Sequence, residues 1–308
     1  MSDSESMLVS GLIIRSQSGF FTVETETGQL VCHLRGRLKR GPRLGDIAAV
    51  GDRVRISCQS TGQGRIEAIE PRRRSLVRMD PTPRGVYQQI IVANPDQAVF
   101  VFACADPGPR LGMLDRFLVI AEKQGLPSLI VANKVDLVSP EQAQEHFGRY
   151  VPVGYELLFT SVRSAAGLVE LRQRLSGKLS VLAGPSGVGK SSLLNALQPG
   201  LGLAVREISQ ATSKGRHTTV VRQLFPLAEG GYIVDTPGMK ALALWDIESH
   251  ELDGYFPELR PLVERCQFSD CTHTHEPGCA VREALVKGQI HPGRYESYVR
   301  MRLGQEEP

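Results

Sequence analysis

Residues 184–191, Gly-Pro-Ser-Gly-Val-Gly-Lys-Ser, match the pattern G-x-x-x-x-G-K-[ST] at every fixed position. The chemistry of that spacing is phosphate binding. Gly184, Gly187 and Gly189 allow positive backbone φ angles and a close approach to an anion, and successive N–H groups at a helix start point at it. Pro185, Ser186 and Val188 lie between these glycines and are expected to line the same loop. Lys190 would reach the β- and γ-phosphates of a nucleoside triphosphate, which makes it a catalytic as well as a binding residue. The Ser191 hydroxyl would sit on Mg²⁺, with Ser192 following it into the helix.

Three further stretches carry chemistry that fits such a loop. Asn133-Lys-Val-Asp136 is N-K-x-D. Guanine presents an N1–H and a 2-amino group side by side, and the Asp136 carboxylate can accept from both. Adenine has no donor at N1, so the same contact would go unpaired. Asn133 would fix the loop or touch the base edge, and the Lys134 stem would lie along the base plane. Asp235-Thr-Pro-Gly238 is D-x-x-G, in which Asp235 would hold Mg²⁺ through water and the Gly238 N–H would meet the γ-phosphate. Gly215-Arg-His-Thr-Thr219 lies in a polar stretch before it, and either Thr218 or Thr219 would complete the Mg²⁺ shell. Ser161 stands where a guanine site has a Ser-Ala loop against the base, although Val162 replaces the Ala.

A separate constellation is Cys266-x4-Cys271-x-His273-x5-Cys279. Three thiolates and one imidazole make a closed tetrahedral set for one structural zinc ion, with no open position for catalysis. His275 is close enough in sequence to compete with His273 as the fourth ligand. Cys32, Cys58 and Cys104 sit singly in apolar-rich stretches and read as core residues.

These residues need elements to hold them. Leu179 to Ala183 is an apolar run suited to a buried strand ahead of the phosphate loop, and a helix follows it to Leu197. Gln89 to Ala93, Gln97 to Ala103, Ser128 to Ala132, Glu156 to Thr160 and Tyr232 to Val234 also read as strands. Arg110 to Gln124 and Leu168 to Leu175 carry helical spacing. Strands alternating with helices imply a mostly parallel sheet with helices on both faces. The base motif precedes the phosphate loop, the reverse of an ordinary small GTPase, so the domain reads as circularly permuted.

Ahead of it, five short strands between Leu8 and Ile69 suit a small barrel of the OB type. Thirteen Lys and Arg oppose eight Asp and Glu from Met1 to Met79, within a net charge of +3 for all 308 residues. The basic run Arg35-Gly-Arg-Leu-Lys-Arg40 marks a candidate nucleic-acid groove. Ile247 to Phe256, Ala280 to Val286 and Pro292 to Leu303 look helical, with Arg294, Arg300 and Arg302 available for phosphates. The organisation is thus multidomain α/β: a barrel at 1–71, a linker at 72–85, a permuted P-loop GTPase domain at 86–245 and a helical zinc-binding domain at 246–308. No run of eighteen apolar residues exists and residues 1–10 are polar, so a cytoplasmic protein without a membrane partner is expected.

Barrel, permuted N-K-x-D, G-x-x-x-x-G-K-S and D-T-P-G motifs and the Cys-His tail together resemble the ribosome small-subunit-dependent GTPase family, RsgA. The resemblance implies a bacterial GTPase that cycles between GTP and GDP with Mg²⁺. It would bind the small (30S) ribosomal subunit and its rRNA late in subunit maturation and be stimulated by it. Neither DNA nor a second copy of the chain is an expected partner. Met239 follows Gly238 where many GTPases carry a water-orienting Gln, so slow intrinsic hydrolysis is expected. His217, in the family's G-R-H-T-T signature, is the candidate to position water, or else contacts RNA or orders its loop. A GTP-gated RNA- or ribosome-binding module with incidental hydrolysis is the alternative.

Overall fold

A computed structural model of the chain describes residues 8–39, 45–82, 85–199, 222–235 and 247–305. It divides into two units: Met1–Gln97 with Leu175–Leu182 and Gln198–Gly238, and Ala98–Arg174 with Ala183–Leu197 and Met239–Pro308.

The first unit begins with strands β1 (Val9–Gln17), β2 (Phe20–Thr25), β3 (Gly28–Leu34), β4 (Arg53–Ser60) and β5 (Gln63–Ile69). Their order is β1-β2-β3-β5-β4, and β4 pairs back onto β1, which closes the sheet. The β3–β5 pairing is parallel and the other four are antiparallel, giving the OB-type barrel expected from the sequence. Strand alternation explains its interior: Phe21, Val23, Cys32, Leu34, Val54, Ile56 and Ile66 are buried. Cys58 departs from the expectation that it joins this core. It is exposed, next to a register shift between Cys58 and Ser60 that breaks the alternation.

The stretch 72–85, expected to be a linker, contains β6 (Ser75–Thr82), which pairs antiparallel with β7 (Gly85–Ala93). Arg72 at its start holds the fully buried Asp52 through two 2.7 Å contacts. The same unit contains β11 (Leu179–Ala183) up to Leu182, beside the parallel β14 (Tyr232–Asp235) and its antiparallel neighbour β13 (Phe225–Pro226). β12 (Arg222–Gln223) extends the barrel at the β1 edge.

The second unit carries β8 (Gln97–Ala103) from Ala98 onward, β9 (Ser128–Asn133) and β10 (Glu156–Thr160), in parallel register. All seven residues of β8 are buried, as a continuous apolar run requires of a strand covered on both faces. Helix α1 (Leu111–Lys123) buries Leu114, Phe117, Leu118 and Ala121, the face set by its i, i+3, i+4, i+7 spacing. Helix α2 (Pro140–Phe147) buries only Ala143 and Phe147, too few for apolar periodicity to reveal it. Its start is written in Ser139-Pro-Glu-Gln142, a capping box with Pro at the first turn. Helices α3 (Leu168–Leu175) and α4 (Lys190–Leu197) flank β11 in the chain. The C-terminal part adds a 3-10 helix at Ser249–Tyr255, then α5 (Arg260–Val263), α6 (Ala280–Val286) and α7 (Pro292–Arg302). Its core, built on Phe256, Leu259, Val281 and Tyr298, takes in Val119 of α1. Among the described residues, no helix is long and apolar enough to cross a membrane.

Candidate nucleotide site and cysteine-histidine centre

The phosphate loop curls between β11 and α4 because two of its glycines have no alternative. A Cβ on Gly184 would stand 2.0 Å from the Val101 carbonyl oxygen, and one on Gly189 would stand 2.5 Å from the Asn133 side-chain nitrogen. Both have φ in the left-handed range, 154° and 94°. The Lys190 ammonium lies inside the curl, donating to the carbonyls of Gly184 at 2.8 Å and Pro185 at 2.7 Å. Ser191 is half-buried and Ser192 exposed in the first turn of α4, while Val188 is buried.

Asn133, at the C-terminal end of β9, ties the base motif to this loop. Its Nδ2 donates to the Val188 carbonyl at 2.8 Å, and its Oδ1 accepts from the Thr160 hydroxyl at 3.0 Å. Of the two roles open to Asn133 on sequence grounds, this geometry displays loop fixation. Lys134 follows with φ 62° and its ammonium donates to the Asp106 carbonyl. Asp136 is exposed, and its Oδ1 accepts from the Ser161 hydroxyl at 2.6 Å. Ser161 is fully buried and its oxygen also accepts from the Ser164 N–H at 3.1 Å. Base-motif carboxylate and β10 loop therefore form one hydrogen-bonded unit. Thr160 and Asp106 are contributors that motif reading did not single out.

Parallel pairing sets Asp235 level with Leu182, two residues before Gly184. His217, Thr218, Thr219 and Gly238 lie outside the described residues.

The donor atoms of Cys266, Cys271, His273 and Cys279 all lie within 4.8 Å of one another. His273 Nδ1 is 3.5 Å from the sulfurs of Cys266 and Cys279, and its Nε2 faces Asp253 Oδ2 at 3.1 Å. A carboxylate on the far nitrogen of a histidine is the support that a metal-ligating imidazole needs to fix its tautomer. Burial pushes the Cys271 thiol up to about 12, with Cys279 and Cys266 adding to the effect. His275 stays outside the cluster with an 82% exposed side chain. The chelating loop is shaped by the Glu276 carboxylate, which accepts from the N–H groups of Thr272, Thr274 and His275. Tyr295 and Tyr298 of α7 donate to the carbonyls of His273 and Thr272. The donor set, its burial and its support fit a tetrahedral zinc ion.

Arg294 overturns one expectation. Read as available for phosphates, it is instead fully buried. It donates to Asp115 of α1 at 2.7 Å and to Glu258 at 2.7 and 3.1 Å, with the rings of Phe256 and Tyr150 against its guanidinium. Arg302 reaches the Ser249 carbonyl, and Arg300 remains half-exposed near Glu296.

Comparison with known proteins decides the family. The model of the RsgA GTPase domain matches residues 69–245, and that of the RsgA N-terminal domain matches 10–66. The chain belongs to the RsgA GTPase family. It is a GTP hydrolase, and its nucleotide site is a guanine-nucleotide site. Among relatives called small ribosomal subunit biogenesis GTPase RsgA, that of Gemmatimonas aurantiaca is 49% identical over 95% of this chain and 96% of its own. That of Moorella thermoacetica is 42% identical over 94% of each. The crystal structure of YjeQ from Thermotoga maritima covers 97% of this chain and 99% of its own, at a TM-score of 0.79 and 37% identity. YloQ, a circularly permuted GTPase, covers 100% of this chain and 99% of its own, at 0.74 and 29%. The motif order is thus the family's permuted one.

Proposed function

We propose that this chain hydrolyses GTP on the small ribosomal subunit, in the course of that subunit's maturation, and that contact with the subunit and its rRNA stimulates the reaction. The observation that carries the reading is the Asn133 side chain donating to Val188: base motif and phosphate loop, 55 residues apart in sequence, share one hydrogen bond. The names of the relatives supply the subunit.

In this reading Asp136 accepts from the guanine edge, with its carboxylate oriented by Ser161 and the base plane lined by the Lys134 stem. The N–H groups of 184–191 and the Lys190 ammonium take up the phosphate charge. Ser191 and Asp235, with Thr218 or Thr219, would hold Mg²⁺, which would offset the charge of the phosphates. The Gly238 N–H would contact the γ-phosphate. Met239 cannot orient water, so His217 is the residue proposed to do so as a neutral imidazole. The barrel at 1–71 and the segment 246–308 are proposed as RNA-facing modules around the GTPase domain at 86–245. Cys266, Cys271, His273 and Cys279 would hold one zinc ion, checked by metal analysis of the purified chain. A cytoplasmic monomer fits this role.

The test is GTP turnover by the purified protein, alone and with purified small subunits, against ATP and large subunits as controls. A strong GTP-specific rise with small subunits is expected, and His217→Ala should remove that rise while GTP still binds. No rise despite tight GTP binding would favour a second reading, suggested by Met239, in which GTP gates binding and hydrolysis is incidental.

A further inference from the structure

Between β8 and α1 the chain passes through Cys104-Ala-Asp-Pro-Gly-Pro-Arg110, a stretch that belongs to none of the nucleotide motifs. Parallel pairing sets Ala103 opposite Asn133, and the Cys104 N–H continues the ladder onto the Asn133 carbonyl at 2.8 Å. The stretch therefore leaves the sheet at the level where the N-K-x-D motif begins.

Two contacts carry it over the site. The Asp106 carbonyl accepts from the Lys134 ammonium. Pro107 lies against the phosphate loop, its Cδ and Cγ being 3.5 and 4.0 Å from the point where a Cβ on Gly187 would stand. Two residues further along that loop, Gly189 faces Asn133 Nδ2 and Lys134 Cε, at 2.5 and 3.9 Å from its own missing Cβ. Pro107 and Lys134 thus cover alternate glycines of one loop, and the Asp106 carbonyl joins them. The backbone at this joint is unusual. Asp106 has φ 45°, in the left-handed region, although a residue ahead of proline ordinarily stays extended. Glycine enters that region freely and Asn and Asp enter it more readily than other residues, whereas a β-branched residue is a clear outlier there. Asp106 is exposed, so packing of its own side chain does not account for the conformation.

We infer that Asp106 is a positioning residue for the nucleoside end of the site, its left-handed backbone aiming the carbonyl at the Lys134 ammonium and so holding the Lys134 stem in the plane against which guanine lies. That stem is long and flexible, and ordering it before the nucleotide arrives lowers the entropy cost of binding. The acting group is the main-chain carbonyl, so the carboxylate is dispensable and the backbone angle is not. The effect falls on the part of the ligand that GTP and GDP share. The inference rests on the proposed placing of Lys134 along the base and supplies the residue that places it.

The experiment is titration calorimetry of the full chain with GTP and with GDP, on a series ranked by how readily each residue takes a φ near that of Asp106. Asp106→Gly and Asp106→Asn should bind as wild type does, Asp106→Ala more weakly, and Asp106→Val roughly tenfold more weakly, the worth of one hydrogen bond from a charged donor. GTP and GDP should lose equally. Lys134→Met removes the ammonium and keeps most of the stem, and in that background Asp106→Val should cost nothing further. Denaturant unfolding of each variant accompanies the titrations, and if Asp106→Val fails to fold, Asp106→Ala carries the same comparison. Wild-type affinity throughout the series, or a loss in Asp106→Asn as large as in Asp106→Val, would overturn the inference. So would a fully additive loss in the double variant. Weakened binding by Lys134→Met beside an unaffected Asp106→Val sinks this inference alone, whereas unchanged binding by Lys134→Met sinks the proposed placing of Lys134 and the inference with it.

Discussion

Asn133 and Arg294 are both buried polar side chains that tie distant segments together, and they do so in opposite ways. Asn133 is neutral, makes one bond as donor and one as acceptor, and sits at the C-terminal end of β9 beside the phosphate loop. Arg294 is charged and makes three contacts to two carboxylates inside a cage of aromatic rings. A neutral hub leaves little behind when it is cut, so its loss shows chiefly at the site it shapes. A charged hub leaves stranded carboxylates, so its loss shows in the fold. The molecule thus uses the first kind where the N-K-x-D motif meets the phosphate loop and the second where α7 meets α1.

The largest expected effect breaks the charged hub. Arg294→Met strands Asp115 and Glu258, and Asp115→Ala leaves the buried Arg294 with Glu258 as its one remaining carboxylate partner. Each should cost about 3–5 kcal/mol of stability in denaturant unfolding. GTP affinity measured well below the transition should change little. A variant of normal stability with lost GTP affinity would reverse the contrast. The neutral hub comes next. Asn133→Ala leaves the Val188 carbonyl and the buried Thr160 hydroxyl without partners, for about 1–3 kcal/mol of stability. Here the GTP affinity should fall steeply, because loop and base motif part.

The two hubs also differ in how far they could be read from sequence. Phosphate binding needs its glycines, lysine and serine contiguous, so residues 184–191 declare themselves, and N-K-x-D gains meaning from that loop. The Cys-His set is legible for the same reason, since one short loop must wrap one ion. Arg294 has no such signal. Its acidic partners lie 36 and 179 residues away, and α7 has no apolar stripe to betray a buried face, so an arginine there reads as a solvated one. Bulges in β4 hid the exposure of Cys58. By contrast the start of α2 is legible in the capping box Ser139 and Gln142, although its short apolar face is too small to show a period. Residues 215–219 and 238, prominent in the motif reading, lie outside the described residues.

A finer cut at the nucleotide site sharpens what a neutral partner does. Ser161→Ala removes the hydroxyl that donates to Asp136. A hydrogen bond to a carboxylate is worth about 1.5 kcal/mol at the low end of its range, suited to an exposed acid, so GTP should bind roughly tenfold more weakly. Titration calorimetry with GTP and ATP checks this, and unchanged GTP affinity would remove the orienting role proposed for Ser161.

The smallest effect belongs to a third hub that lies between the two extremes. Glu67 is a charged group clamped by arginines, as Arg294 is clamped by carboxylates, but its partners are partly in water. Burial opposes its ionisation, and the hydrogen bonds from Arg65, Arg35 and Ser57 overcome that, so that it titrates at about 2 against an ordinary value of 4.5. A carboxyl lowered on folding stabilises the fold fully above its unfolded value, and that contribution is lost as pH falls from about 4.5 towards about 2. Glu67→Gln should therefore lose stability relative to wild type at neutral pH, with the gap closing across that window. Solvent around Arg35 and Arg65 keeps the gap below the one expected for Arg294. Denaturant unfolding of both proteins at successive pH values measures it. A gap that stays constant with pH would mean that shape, and not charge, is what Glu67 supplies to the barrel.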